Sequence, residues 1–150
     1  MSVVIGLYHI VISTKGRQLS IPPASKQPLY AYMRGILMNK GCQVHAMNGV
    51  GDHIHILIDL PGTKCLSDVV RDLKRSSSLW MAEHRDAFPI FAGWASEYAA
   101  FSCSPSAKAD VVKYILKQES HHQSTSFDAE YALMLRRKNE YDALGATSSR

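Results

Sequence analysis

The sequence predicts an α+β fold: a ferredoxin-like split βαβ sandwich with an antiparallel sheet and a further helix near the C-terminus. Three observations predict it. Short runs rich in β-branched residues alternate along the chain with period two, as in "HIHILID" (His53–Asp59). Two longer segments, near residues 26–40 and 66–84, repeat apolar residues at helical spacing. The segments follow one another as β-α-β-β-α-β and then helices, which is the split βαβ order. With 150 residues the chain is long enough for a single domain to bury a core without staples. That domain is expected over residues 1–143, with a polar tail over 144–150.

The elements can be justified in order. Val3–Ser13, "VVIGLYHIVIS", is loosely alternating and β-branched, so it reads as a first strand. The stretch "TKGRQLSIPPAS" is a basic, proline-containing loop. From Lys26 to Lys40, Leu29, Tyr32, Met33, Ile36 and Leu37 form a helical stripe, and Gly41 stops it. "CQVHAMN" and "HIHILIDL" flank "GVGD" and read as two antiparallel strands joined by a glycine-bearing turn. "LSDVVRDLKRSSSLWMAEH" is the clearest helix, with Leu66, Val69, Val70, Leu73, Trp80 and Met81 on its apolar side and Arg71, Lys74 and Arg75 opposite. "WASEYAAFSCS" supplies a further strand. Ser104 as N-cap and Pro105 at the first helical position open a helix that runs through "SAKADVVKYILKQESHH". A last amphipathic segment covers Asp128 to Arg137.

Composition excludes several classes. With 46% hydrophobic and 20% charged residues, the chain is an ordinary globular protein and not a disordered one. Cys42, Cys65 and Cys103 form no CxxC pair and are odd in number, so they read as reduced thiols, with neither a disulfide framework nor a zinc knuckle. The apolar start "MSVVIGLYHIVIS" has no basic leader or cleavage site and is too short to span a bilayer, so a cytoplasmic protein without membrane contact is expected. The net charge of +4 biases the chain mildly toward anionic partners such as nucleic acid.

Chemistry concentrates at two places. In a strand His53 and His55 share one face with Leu57 and Asp59, while Ile54, Ile56 and Ile58 share the other, core-facing side. Two imidazoles a few ångströms apart suit one metal ion, and they suit a wet sheet face equally. On the helix "SAKADVVKYILKQESHH", Val112, Ile115, Leu116 and Glu119 cluster on one side and Tyr114, Gln118 and His121 nearly opposite. Tyr114 and Gln118, four apart, are surface neighbours on such a helix. Together with the histidines they make a set for metal-assisted phosphoryl transfer, in which a phenolic oxygen attacks phosphorus. A phenol titrates near pH about 10, so it must lose its proton to attack well, and no carboxylate stands out as the base. The bland readings remain open at this point: polar surface for the histidines, packing for the tyrosine, a solvated helix end for His121–His122. Arg17, Lys64, Arg71 and Lys74 are candidates for phosphate contacts, though basic residues on an amphipathic helix are most often a solvated face. Core packing is the expected role of Trp80 and Trp94.

The residues also carry a resemblance. "DHIHILIDLP" resembles the HUH motif (histidine, hydrophobic, histidine) of the single-tyrosine transposases of small bacterial insertion sequences and their REP-associated relatives. The resemblance starts at "YHIVISTKGR" and continues through "LSDVVRDLKRSSSLW", "FSCSPSAKADVVKYILKQESHH" and "FDAEYALMLRRKNEYD". It implies that His53 and His55 bind a divalent cation, Mg²⁺ or Mn²⁺, with Gln118 as third ligand and Tyr114 as nucleophile. It further implies a homodimer that cuts single-stranded DNA at hairpin-bearing element ends, forming a 5′-phosphotyrosine and a free 3′-OH, and that rejoins strands without ATP. In such dimers the tyrosine helix of one subunit can complete the histidine site of the other. Two positions depart from the pattern: Glu97, where glycine is common, and Cys103, where valine is common. A domesticated nickase acting on chromosomal repeats keeps the same chemistry. A non-catalytic nucleic-acid-binding module is the rival of a different class, in which Tyr114 only stacks on a base.

Overall fold

The structure, a computed structural model, describes residues 1–122 and 126–148. Its contacts divide it into two compact units, residues 1–119 and 120–150. In the first, β1 (Leu7–Thr14), α1 (Lys26–Asn39), β2 (Gln43–Val50), β3 (His53–Asp59), α2 (Leu66–Glu83) and β4 (Trp94–Cys103) follow one another, and α3 (Lys108–Leu116) comes after the last strand. The sheet is four-stranded and fully antiparallel in the order β2-β3-β1-β4. β3 is inserted between β1 and β2, as the split βαβ order requires, so the predicted fold class holds.

β1 is shorter than the run from Val3 suggests. Its last pair toward the N-terminus is Leu7 with Asp59. Two residues further along β3's path stands Pro61, which has no N–H to continue the ladder. Val3, Val4 and Ile5 are left exposed, and the Asp59 carboxylate caps the strand end by accepting from the Gly6 N–H at 2.9 Å.

The alternation along β3 does the sorting of faces. Ile54, Ile56 and Ile58, with Ile10 and Ile12 of β1, are fully buried against Leu29, Met33 and Leu37 of α1 and Val69, Val70 and Leu73 of α2. Each such side chain stabilises the fold by roughly 1.5–3 kcal/mol relative to exposure. Leu57, on the other face, joins Leu7, Ala46 and Ile115 in a second, smaller cluster beneath α3, where Val111, Val112, Tyr114 and Cys103 also pack. The sheet is therefore covered on both faces, and the histidine face lies under α3.

Both tryptophans pack. Trp80 stacks on Tyr32 with centroids 5.0 Å apart. Trp94 is buried, and its indole N–H donates to Ser77 Oγ at 2.9 Å, while that hydroxyl donates to the Leu73 carbonyl. Ser77→Ala strands the indole donor in the core and is expected to lower stability by about 1–3 kcal/mol, measured as a shift in urea midpoint at constant slope.

β2 and β3 meet at one point without room for a side chain. A Cβ on Gly49 would lie 2.1 Å from the His53 carbonyl oxygen. Glycine is needed here for close approach of two backbones and not for a special φ.

In the second unit α5 (Phe127–Ser148) takes in the expected amphipathic segment. The Ser126 hydroxyl caps it, accepting from the Ala129 N–H at 3.2 Å. His121 and His122 both direct Nε2 at Glu130 Oε2, at 3.0 and 2.7 Å. The expected tail from residue 144 begins within α5, and residues 149–150 lie outside the described residues. Among the described residues no helix is long and apolar enough to cross a membrane.

Candidate active site

The turn Gly51–Asp52 joins β2 to β3, so His53 and His55 are the first and third residues of a strand that has only just left its hairpin. Both are fully buried. This rules out the wet-face reading of the pair. Their rings stand 5.1 Å apart between centroids, nearly perpendicular at 74°.

Each imidazole has one nitrogen engaged from behind. His53 Nδ1 lies 2.7 Å from Asp52 Oδ1. A carboxylate only accepts, so Nδ1–H donates and the lone pair falls on Nε2. That nitrogen faces Gln118 Oε1 at 3.2 Å, and Gln118 is fully buried. Two acceptors thus converge in a dry place, while Gln118 Nε2 has no hydrogen-bond partner among the described residues. A neutral nitrogen and an amide oxygen pointed at each other are a poor hydrogen-bonding pair and a good pair of cation ligands. His55 Nδ1 lies 2.8 Å from His9 Nε2, so Nε2 is the nitrogen through which His55 would bind a cation. The donor set His53, His55 and Gln118 fits a divalent ion.

Tyr114 reaches the same place from α3. Its ring meets that of His55 edge-on, with centroids 5.6 Å apart, and lies 6.0 Å from that of His9. The chain therefore brings its own tyrosine to its own histidines.

What seats α3 is a polar anchor next to the site. Asn48 on β2 is the direct cross-strand partner of His55. Its Nδ2 donates to the Leu116 carbonyl at 3.2 Å and to Glu119 Oε2 at 2.8 Å. Lys26 Nζ donates to the other Glu119 oxygen at 2.8 Å. Burial works to raise the Glu119 pKa, but the hydrogen bonds from Lys26 and Asn48 and the lysine's charge outweigh it, and the net shift is downward from 4.5. A lowered folded pKa means the anchor is complete at neutral pH and is lost as pH falls through that depressed value. The Asn48 side-chain amide resonances are expected to hold steady from neutral pH down to 4.5 and to move only below it.

The helix geometry differs from the periodic reading in one respect. The sequence predicts one continuous helix in which Tyr114 and Gln118 are neighbours four apart. α3 instead ends at Leu116, Lys117 leaves the helical region with φ −98° and ψ 16°, and the chain resumes in the short α4 (Gln118–His121). The break turns Gln118 inward, leaves Leu116 exposed, and commits Glu119 to Lys26 and Asn48 instead of an apolar stripe. Ser104 precedes a 3-10 turn, Pro105–Ala107, and makes no cap hydrogen bond.

The four basic candidates are spread apart. Arg17 is exposed, three residues past the end of β1, with φ +54°. Its loop is tied to the histidine end of β3, because Thr14 N–H donates to the Asp52 carbonyl at 2.8 Å. Lys64 is exposed beyond the opposite end of β3. Arg71 on α2 pairs with Asp68 and Asp72, and Lys74 donates to the Ser96 carbonyl on β4 at 3.2 Å. Glu97 is exposed on β4, and Cys103 packs in the small cluster under α3. His9, Asn48, Glu119 and Lys26 were not singled out by the sequence. The available signal was weak: His9 falls in step with Val11 and Ser13 on the same face of β1.

Residues 2–118 match the family model described as transposase, IS200-like. The chain is 26% identical over 119 residues to the ISDra2 transposase TnpA of Deinococcus radiodurans, an alignment covering 77% of this chain and 83% of that one. Two solved structures share its fold. One is a crystal structure described as that of a transposase from D. radiodurans R1, with TM-score 0.61 and 24% identity, covering 79% of this chain and 95% of that one. The other is the REP-associated tyrosine transposase bound to a REP hairpin, with TM-score 0.61 and 15% identity, covering 81% of this chain and 72% of that one. At these identities the structures speak for the fold. The matched span runs from before β1 to Gln118 and so takes in His53, His55 and Tyr114, and the chain belongs to the IS200-like transposase family.

Proposed function

We propose that this chain cleaves and rejoins single-stranded DNA through a 5′-phosphotyrosine on Tyr114, with a divalent cation held by His53, His55 and Gln118. The observation that carries this reading is the convergence of a tyrosine ring, two buried imidazoles and a buried amide oxygen within one compact unit. When bound, Mg²⁺ or Mn²⁺ neutralises charge on the scissile phosphate and steadies the departing 3′-oxygen. The protein supplies the rest. Asp52 and His9 engage the Nδ1 atoms and so direct the Nε2 atoms forward. Tyr114 Oη attacks phosphorus, the P–O3′ bond breaks, and the phenolic proton passes through solvent to the leaving 3′-oxygen. Attack of a different 3′-OH on the phosphotyrosine returns the phenol and restores a phosphodiester. One phosphate ester is exchanged for another at each step, so no ATP is consumed.

The substrate in this reading is hairpin-bearing single-stranded DNA, the enzyme is a homodimer, and the setting is the cytoplasm. Arg17 is the best placed of Arg17, Lys64, Arg71 and Lys74 to meet a phosphate near the histidines. The REP-hairpin-bound neighbour favours a second version with the same chemistry, in which the substrates are chromosomal repeats and not element ends. Competition between the two oligonucleotide types separates the versions.

The test is incubation with a labelled single-stranded hairpin oligonucleotide and Mn²⁺, followed by denaturing gels and peptide mapping. A DNA adduct on the peptide bearing Tyr114, absent with chelator, is the expected result. Cleavage without an adduct, or an adduct on another residue, removes Tyr114 from the role. Binding with no cleavage under either cation leaves the binding-module reading. Asp52→Asn weakens the support of His53 and is expected to lower Mn²⁺ affinity about 10–100-fold, read by calorimetric titration.

A further inference from the structure

His9 belongs to neither the HUH triplet nor the tyrosine helix, yet it touches the centre of the site. β1 pairs with β3 so that Val11 opposes His55 and His9 opposes Leu57. His9 is therefore the diagonal neighbour of His55 on the same sheet face, a separation that long or aromatic side chains bridge. His9 Nε2 and His55 Nδ1 stand 2.8 Å apart. The His9 ring is held in place on two further sides, by Phe101 at 6.4 Å and Tyr114 at 6.0 Å between centroids. Phe101 is its direct partner on β4.

Two nitrogens at this distance share one hydrogen, and a neutral imidazole has only one to give. If His9 donates, His55 carries its hydrogen on Nε2 and has no lone pair there to offer a cation. If His55 donates from Nδ1, its Nε2 lone pair is presented forward. The neighbouring His53 has the second arrangement, with Asp52 as acceptor. We infer that His9 is a positioning residue that accepts from His55 Nδ1–H, fixing both the tautomer and the ring plane of His55. This rests on the reading of His55 as a ligand. An imidazole suits this second position better than a second carboxylate. It accepts the hydrogen bond without adding a negative charge that would repel the scissile phosphate.

The experiment uses the ¹⁵N-labelled, metal-free protein at neutral pH. Long-range proton–nitrogen spectra report which nitrogen of His55 bears hydrogen. His55 is expected to be the Nδ1–H tautomer in the parent and in His9→Gln, whose amide oxygen reaches the place of the lost Nε2. In His9→Phe, which fills the space without an acceptor, His55 is expected to revert to Nε2–H. The Mn²⁺ dissociation constant is then expected to rise about 10–100-fold and to recover in His9→Gln. An Nε2–H tautomer in the parent overturns the inference, as does a His9→Phe protein with unchanged tautomer and affinity. If the parent binds no Mn²⁺ while the tautomer still follows residue 9, the orienting role stands and the ligand reading of His55 falls. The two failures are thus distinguishable.

Discussion

Tyr114→Phe is expected to abolish the covalent adduct and to lower single-strand cleavage by at least about 10⁴-fold. Hairpin binding should be retained, since the ring contacts that place residue 114 are kept. The separation of effects follows from how the residue is held. The ring packs at the edge of the small cluster containing Ile115 and Leu57 and meets His55 edge-on. Phenylalanine keeps every one of those contacts. What it removes is the oxygen, and the structure offers no second hydroxyl on α3 to replace it. Single-turnover cleavage beside fluorescence anisotropy of a labelled hairpin makes the measurement. A variant that still cleaves within tenfold of the parent would require a water or another side chain as nucleophile.

Gly49→Ala should cost about 3 kcal/mol, the upper end of what overpacking a tight site does. The added carbon would meet the His53 carbonyl oxygen at 2.1 Å and the Ile54 Cα at 2.8 Å, and both are backbone atoms that no rotamer change can move aside. Relief requires β2 and β3 to part where Gly49 pairs with Ile54. That is one residue from His53 on one strand and one from Asn48 on the other, so His53 and the α3 anchor shift together. A melting temperature lowered by several degrees, together with weaker Mn²⁺ binding, is the expected pair of results. Unchanged stability would mean that the hairpin yields more easily than its backbone contacts imply.

The legible and illegible parts of this molecule divide along a physical line. Period-two alternation carries a face assignment, so Ile54, Ile56 and Ile58 were placed in the core and His53 and His55 on the other face from the sequence alone. Helical periodicity likewise located α1 and α2 to within a residue or two, and placed Tyr114 on a helix whose ends it missed. Periodicity also assumes that a helix continues, and so it could not see Lys117 leave the helical region. That break decides where Gln118, Leu116 and Glu119 point. Glu119 is held by residues 71 and 93 positions away, Asn48 and Lys26. The reach of His9 to His55 depends on a diagonal across two strands. β1 and β3 are separated in the chain by α1 and β2, so no turn between them fixes their register, and it is set only as the sheet assembles.

The order of the elements along the chain has a consequence for synthesis. All four strands lie between Leu7 and Cys103, so the sheet that carries both histidines is fully translated before Tyr114. The contacts that assemble the site span 46 positions from His9 to His55 and 65 from His53 to Gln118, and such long closures form late. A nascent chain emerging from the ribosome thus exposes the sheet first and gains Tyr114 only when α3 follows. Tyr114 can meet His55 only after every strand of the sheet has been translated, so the strands alone cannot complete the site.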